Sequence, residues 1–304
     1  MKEHNLLDFL FIKFNHRILR PLLRVARLPG QKKIHKQFLK EEIVYGLNNK
    51  EERKIKIIVS LTTFPDRFFS LQKTLVSILN QTTKADRIIV WLASDVNIIP
   101  NSLLQFEKYG VTFIRKKENL MPHKKYFYAM QEFPNDIVIT IDDDVIYQRT
   151  LIEDLLKTYK KYPDCICANR VHFITKKING TLHNYNNWIN DFRISNKPSY
   201  RLIATGVGGV LYPPHSIPKI AFNIKNIENI CLKADDIWLK FNESINHVKV
   251  VWSPTKHLNS CCQIQGSQKK SLSKENTGNS KNDEYIANCE KLFKTSLKEL
   301  IFQK

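Results

Sequence analysis

The chain has 304 residues, enough for one large α/β domain or two small ones with a real core, and its 42% hydrophobic and 25% charged content is that of a globular protein. A formal net charge of +19 draws the molecule to polyanions: nucleic acid, an acidic lipid surface or phosphorylated sugars. No two of Cys165, Cys167, Cys231, Cys261, Cys262 and Cys289 stand at CxxC spacing before an HxxxH, so a zinc site is set aside and reduced thiols are expected.

Residues 1–40 mix Leu6, Leu7, Phe9, Leu10, Phe11 and Phe14 with Lys13, Arg17, Arg20, Arg24, Arg27, Lys32, Lys33, Lys36 and Lys40, against only Glu3 and Asp8. Leu7, Leu10, Phe11, Phe14 and Ile18 fit one helix face, which would lie in an anionic membrane interface or pack on the main domain. Pro29-Gly30 is expected to form a turn. The run LLDFLFI is short, carries Asp8 and lacks a cleavage pattern, and no stretch approaches the roughly 18–20 apolar residues that span a bilayer. The expected location is cytoplasmic.

Lys56–Leu61 reads as a buried strand followed by the loop TTFPDRF. Leu71, Leu75, Ile78 and Leu79 mark a helix, and Arg87–Leu92 a second strand. Together they form a βαβ unit, right-handed and parallel, whose ligands sit at the carboxyl ends of the strands. Thr62, Thr63, Asp66, Arg67 and Ser94 fall on that side. After a short strand at Val111–Ile114, a helix beginning near His123 carries Lys124 and Lys125 at its N-terminus, where they attract phosphate or are simply exposed.

Ile137–Tyr147, IVITIDDDVIY, is the densest signal. A β-branched run buried on both faces ends in Asp142, Asp143 and Asp144, which repel one another and need a counter-charge. A hard divalent cation carrying phosphate oxygens, Mn²⁺ or Mg²⁺, suits them. The alternative is a polar turn in which one Asp caps the helix from Leu151 to Tyr162. Alternation along an extended strand end would send Asp142 and Asp144 one way and Asp143 the other.

Cys165–His172 reads as a strand and Lys176–Asn196 as a polar, aromatic-bearing insertion. TGVGGVLYPP at 205–214 sets Gly206, Gly208 and Gly209 before another strand, allowing close approach of a ligand or a bulge. Asp235 and Asp236 open a helix, where its dipole keeps carboxylates ionised for cap duty or for base catalysis. Val248–Trp252 is a strand, Gln265–Asn282 a polar loop and Asp283–Phe302 a final helix.

VSLTTFPDR, PHKKY, IDDDV, TGVGGVLYPP and ADDIWL, in this order and spacing, resemble the GT-A-fold glycosyltransferases, specifically the bacterial family-2-like group that builds surface polysaccharide and lipopolysaccharide. The resemblance covers about residues 55–260. It implies an α/β fold with a Rossmann-like, mostly parallel sheet flanked by helices, a catalytic domain at 51–264, a basic N-terminal helical extension at 1–50, and a loop with a C-terminal helix at 265–304. It further implies a nucleotide-diphosphate sugar donor, a UDP-sugar by expectation, and a glycan or lipid-linked acceptor. Asp142 and Asp144 would hold the metal with His257 as third ligand. Thr62, Thr63, Asp66 and Arg67 would contact the nucleotide, Lys124 the diphosphate, Asp143 the ribose or sugar, and Gly208 and Gly209 would lie beside the donor sugar. Asp236 would be the base and Asp235 its neighbour, with inversion expected. Three rivals stand beside this reading. One is a haloacid-dehalogenase-like phosphatase, whose Asp pair normally follows the first strand. The others are a non-catalytic membrane scaffold and a nucleic-acid binder, for which no basic-aromatic platform is present; no specific nucleic acid is expected.

Overall fold

The computed structural model describes residues 20–255, 261–267 and 280–302. Helix α1 spans Arg20–Phe38, followed by β1 (Ile57–Thr62), α2 (Phe68–Leu79), β2 (Arg87–Ala93) and β3 (Val111–Lys116). Next come α3 (Lys124–Glu132), β4 (Ile137–Thr140), β5 (Val145–Tyr147), α4 (Leu151–Lys161), β6 (Ile166–Ala168) and β7 (Val171–Phe173). The remainder is β8 (Leu202–Ala204), β9 (Val210–Tyr212), α5 (Asp235–Ile245), β10 (Val250–Trp252), β11 (Cys261–Gln263), α6 (Lys281–Phe293) and α7 (Leu297–Ile301).

Among the described residues, seven strands form one sheet in the order β10-β6-β9-β4-β1-β2-β3. All neighbours are parallel except β9, which runs antiparallel between β4 and β6. Strand alternation divides the core between two faces. Ile58 and Val138 face a layer containing Tyr126 of α3 and Trp238 and Phe241 of α5, whereas Val59 and Ile139 face Leu71 and Leu75 of α2 and Leu151 and Leu155 of α4. The GT-A-type α/β architecture expected from the sequence is therefore present.

Register places the functional segments together. The β1–β4 ladder continues past Ser60↔Thr140 to an Ile141 N–H donated to the Ser60 carbonyl, which brings the residues after both strands side by side. Because Thr140 pairs with Val210 in antiparallel sense, the glycine segment before β9 also arrives at that end of the sheet.

Several expected boundaries move for identifiable reasons. The run 137–147 is not one strand. β4 ends at Thr140, the chain turns through the triplet, and β5 leaves the main sheet to pair with β11. On its other side β5 is caught by α2: the Val145 and Tyr147 N–H groups donate to Thr74 Oγ1 and Ser77 Oγ at 3.2 and 3.1 Å. Cys165–His172 splits in the same way, β6 staying in the main sheet and β7 pairing with β8. The last helix breaks at Lys294, in left-handed conformation (φ 53°), and restarts at Ser296 with a capping box to Glu299. Pro29-Gly30 lies within α1 rather than forming a turn; proline withdraws one N–H, and the helix runs on to Phe38.

α1 seats Ile34, buried, against Ile146 of β5 and Ile264 just beyond β11, with Phe38 alongside. Of the extension expected at 1–50, residues 1–19 lie outside the described residues, as do 268–279 of the expected polar loop. The six cysteines are free thiols. Among the described residues no helix is long and apolar enough to cross a membrane.

Candidate active site

At the carboxyl ends of β1 and β4 the triplet divides between two cations. Asp143 and Asp144 both turn to Arg67, the last residue of the loop before α2: Arg67 Nη1 lies 2.5 Å from Asp144 Oδ2 and 3.5 Å from Asp143 Oδ1. Thr63 Oγ1 donates to Asp143 Oδ2 at 2.6 Å, and Ser267 Oγ to Asp144 Oδ2 at 3.2 Å. Asp142 points elsewhere and meets Lys125 Nζ at 2.9 Å. The alternation expected for an extended strand end is thus overturned, because the triplet is a turn and its side chains do not alternate.

Lys125 is the junction of the site. Its buried ammonium also lies 3.0 Å from Asp235 Oδ2 at the start of α5, so one cation bridges the triplet and the acidic pair. Ser60 in mid-β1 fixes the backbone there, donating to the Lys125 carbonyl while accepting from Trp91 Nε1 at 2.8 Å. Behind it, His123 contacts Tyr126 Oη at 3.0 Å and the Cys231 carbonyl at 2.9 Å, tying the start of α3 to the segment leading into α5. Burial holds His123 down to about 4, so the ring is neutral. The Gly206 N–H donates to Asp236 Oδ1 at 3.2 Å. A Cβ on Gly206 would stand 2.6 Å from Lys125 Nζ and 3.1 Å from Asp142 Oδ1, so the junction exists because residue 206 has no side chain.

Electrostatics separate the carboxylates. Burial would raise Asp235, but Lys125 and then His123 beside it hold it below the usual range. Burial and the neighbouring Asp235 push Asp236 up to about 8, against Lys125. Burial lifts Asp143 to about 7 despite Thr63 and Arg67, and burial and Asp142 also raise Asp144. Lys125 is held well above its ordinary value, since Asp142, Asp235 and Asp236 outweigh its burial. The pair Asp235/Asp236 therefore contains one firmly ionised carboxylate and one that gains or loses a proton near neutrality, the division of labour a base needs.

The other sequence candidates fall as follows. Thr62 Oγ1 donates to the Trp91 carbonyl at 2.9 Å and braces β1 against β2. Asp66 is exposed on the loop before α2. Lys124 Nζ donates to Asn119 Oδ1 at 2.7 Å, and burial lowers it to about 8. Gly208 makes room for Arg170, whose Cβ would lie 2.6 Å from an added Cβ, and Gly209 adopts φ +83° against Leu151; the glycine facing the carboxylates is Gly206. His257 lies outside the described residues. Sequence reasoning passed over Lys125 as the bridging cation, Ser60 and Ser267. The two lysines are adjacent, and only the turn of α3 decides which one faces the acids.

Among the described residues no three His, Cys, Asp or Glu side chains are grouped to hold a metal ion. The donors that are present nonetheless suit a hard cation. Asp142 retains 30% side-chain exposure, Asp144 adds a second carboxylate two residues on, and diphosphate and water oxygens would fill the rest.

Residues 67–211 match the model of the family described as Glycosyl transferase family 2, a stretch that starts at Arg67 and takes in Lys125, the triplet and Gly206. No curated protein matches the chain. Among solved structures, the mannosyltransferase PcManGT from Pyrobaculum calidifontis, in complex with GDP-Man and Mn²⁺, superposes with a TM-score of 0.51 at 12% identity. That match covers 94% of this chain and 76% of the other. The triplet after the fourth strand and most of the antiparallel β9 lie inside the stretch that is similar to glycosyltransferase family 2, and the superposition shows a GT-A-type fold.

Proposed function

We propose that the protein is a metal-dependent glycosyltransferase that moves a sugar from a nucleotide-diphosphate sugar to a hydroxyl of a glycan or lipid-linked acceptor, with inversion, in bacterial surface polysaccharide or lipopolysaccharide synthesis. One observation carries the reading: Lys125 joins Asp142 to Asp235, which puts a donor-side carboxylate in one cluster with the residue next to the proposed base, Asp236. Asp142 and Asp144 would hold Mn²⁺ or Mg²⁺, and His257 is the proposed third ligand. A cation held by these residues would supply charge neutralisation for the departing diphosphate.

The chain's own residues do the remainder. Arg67 and Thr63 fix Asp143 and Asp144 within the turn. Thr62, Asp66 and Arg67 are the proposed nucleotide contacts, Lys124 the proposed diphosphate contact, and Gly208 and Gly209 the proposed neighbours of the donor sugar. Asp236 accepts the proton of the acceptor hydroxyl as its oxygen bonds to the anomeric carbon and the bond to the diphosphate oxygen breaks on the opposite face. Asp235, ionised on Lys125, keeps that ammonium in place. A UDP-sugar is the proposed donor. The location is cytoplasmic and peripheral on the inner membrane.

A panel of UDP- and GDP-sugars, screened by thermal shift with and without Mn²⁺, tests the reading. At about 100 times Kd a donor contributes about 2.7 kcal/mol and raises Tm by several degrees. A panel in which no nucleotide sugar gives a metal-dependent rise refutes it.

A further inference from the structure

Among the described residues, nothing covers the outer face of α1. Ile34 and Phe38 turn inward to Ile146 and Ile264. At helical spacing on the opposite side stand Leu22 and Val25, 62% and 66% exposed, with Leu28, Lys32 and Lys36 also exposed, and Leu39 continues the row just past the helix end. Adjacent Lys33 is exposed as well. Between Asp8 and Glu41 the sequence holds no acidic residue. Exposed aliphatics beside lysines, on a segment whose own sequence carries no carboxylate, match a surface that is apolar beneath and negative at its boundary.

We propose that this face of α1 docks on an anionic lipid bilayer. The placement matters for the site, because α1 is one layer from the triplet. Ile34 rests on Ile146, two residues beyond Asp144, and on Ile264, whose N–H donates to the Asp144 carbonyl at 3.0 Å. A bilayer under α1 therefore lies at the flank of the carboxylate cluster and presents a lipid-linked acceptor to it. The acceptor class rests on the transferase reading, whereas the docking does not.

The test is sedimentation of the full chain with vesicles of phosphatidylcholine alone or containing one-third phosphatidylglycerol. Binding to the anionic vesicles only is expected. The triple variant Lys32→Ala, Lys33→Ala, Lys36→Ala should lose about 10²-fold in partition, at about fivefold per charge removed, and Leu22→Ser with Val25→Ser at least tenfold. All five positions are exposed, so thermal melting should stay at the wild-type value. Wild type that fails to bind, or variants that bind as well as wild type, overturn the proposal. So does a wild-type dimer that the Leu22 and Val25 changes convert to monomer without altering vesicle binding, since the face would then belong to a second copy. Nucleotide-sugar hydrolysis without vesicles reports the transferase reading separately: its absence in a protein that still binds vesicles would leave docking intact and remove the acceptor assignment.

Discussion

Gly206→Ala isolates the Lys125 junction from the rest of the fold. Residue 206 does not need a positive φ, so the backbone accepts alanine; what it lacks is room. The added methyl would lie 2.6 Å from Lys125 Nζ and 3.1 Å from Asp142 Oδ1. The ammonium is the end of a flexible side chain, but it is buried and held at 2.9 Å by Asp142 and 3.0 Å by Asp235. Retreating by the better part of an ångström takes it out of bonding range of at least one partner. A hydrogen bond to a charged group contributes about 1.5–3 kcal/mol, so kcat/KM for sugar transfer should fall roughly 10- to 150-fold, at 1.36 kcal/mol per decade. Asp142 regains water on its exposed side, but Asp235 does not, so Tm should fall by several degrees. Lys125 also holds Asp236 down; with the ammonium displaced, the rising limb of the kcat/KM profile should move to higher pH. Steady-state kinetics across pH 6–10, with melting curves on the same samples, measure all three. Wild-type kcat/KM and an unmoved limb in a well-folded Gly206→Ala protein would refute the claim that Lys125 couples the triplet to the base.

Because Asp236 is protonated below about 8, kcat/KM should climb about tenfold per pH unit below that value and level off above it; Asp236→Asn should remove the limb and cost about 10²–10⁴ in rate, measured with the donor pre-saturated. Arg67→Ala leaves Asp143 and Asp144 buried without their shared cation and should cost about 3–5 kcal/mol in urea unfolding at pH 8. The loss should be smaller at pH 6, where Asp143, with its pKa near 7, takes up a proton; an equal loss at both values contradicts the assignment. Burial lifts Glu243, paired with Lys240 at 2.7 Å, to about 7 from an ordinary 4.5. A raised folded-state value gives stability that is full below 4.5 and lost as pH rises through 7, at up to about 1.4 kcal/mol per unit. Relative to Glu243→Gln, wild type should therefore weaken between pH 5 and 8, and parallel stability curves would exclude Glu243 as a source of that slope.

The sheet was legible because burial on both faces leaves unbroken runs such as IIVSLT and RIIVWLA, and parallel βαβ units have one hand. The side of the sheet on which the site lies followed from the same rule. The division of labour within the site did not, because it depends on groups whose sequence pattern reads as ordinary. Thr74, Ser77 and Gln81 form a polar row at helical spacing along α2 and just past its end, and such a row by default faces water. Here it is buried and receives the chain after the triplet: Thr74 and Ser77 accept N–H groups of β5, while Gln81 bonds the Gln148 carbonyl and the Ile152 N–H at 2.9 and 3.2 Å. That docking pulls β5 out of the main sheet, and pulling it out turns three successive aspartates from an alternating strand end into a bend. In the bend two carboxylates share Arg67 and the third is left for Lys125. The roles of the triplet were thus set by hydroxyl groups some 70 residues upstream in the chain. A sequence carrying the same DDD but apolar residues at 74 and 77 should retain the strand and lose the bend, so Thr74→Val with Ser77→Ala is expected to weaken metal-dependent donor binding while leaving the β1–β4 ladder intact. Hydrogen exchange at Ile139 and Ile141 against that at Val145 and Tyr147 distinguishes the two segments: faster exchange confined to the latter pair supports this order of cause, and equal change in both refutes it.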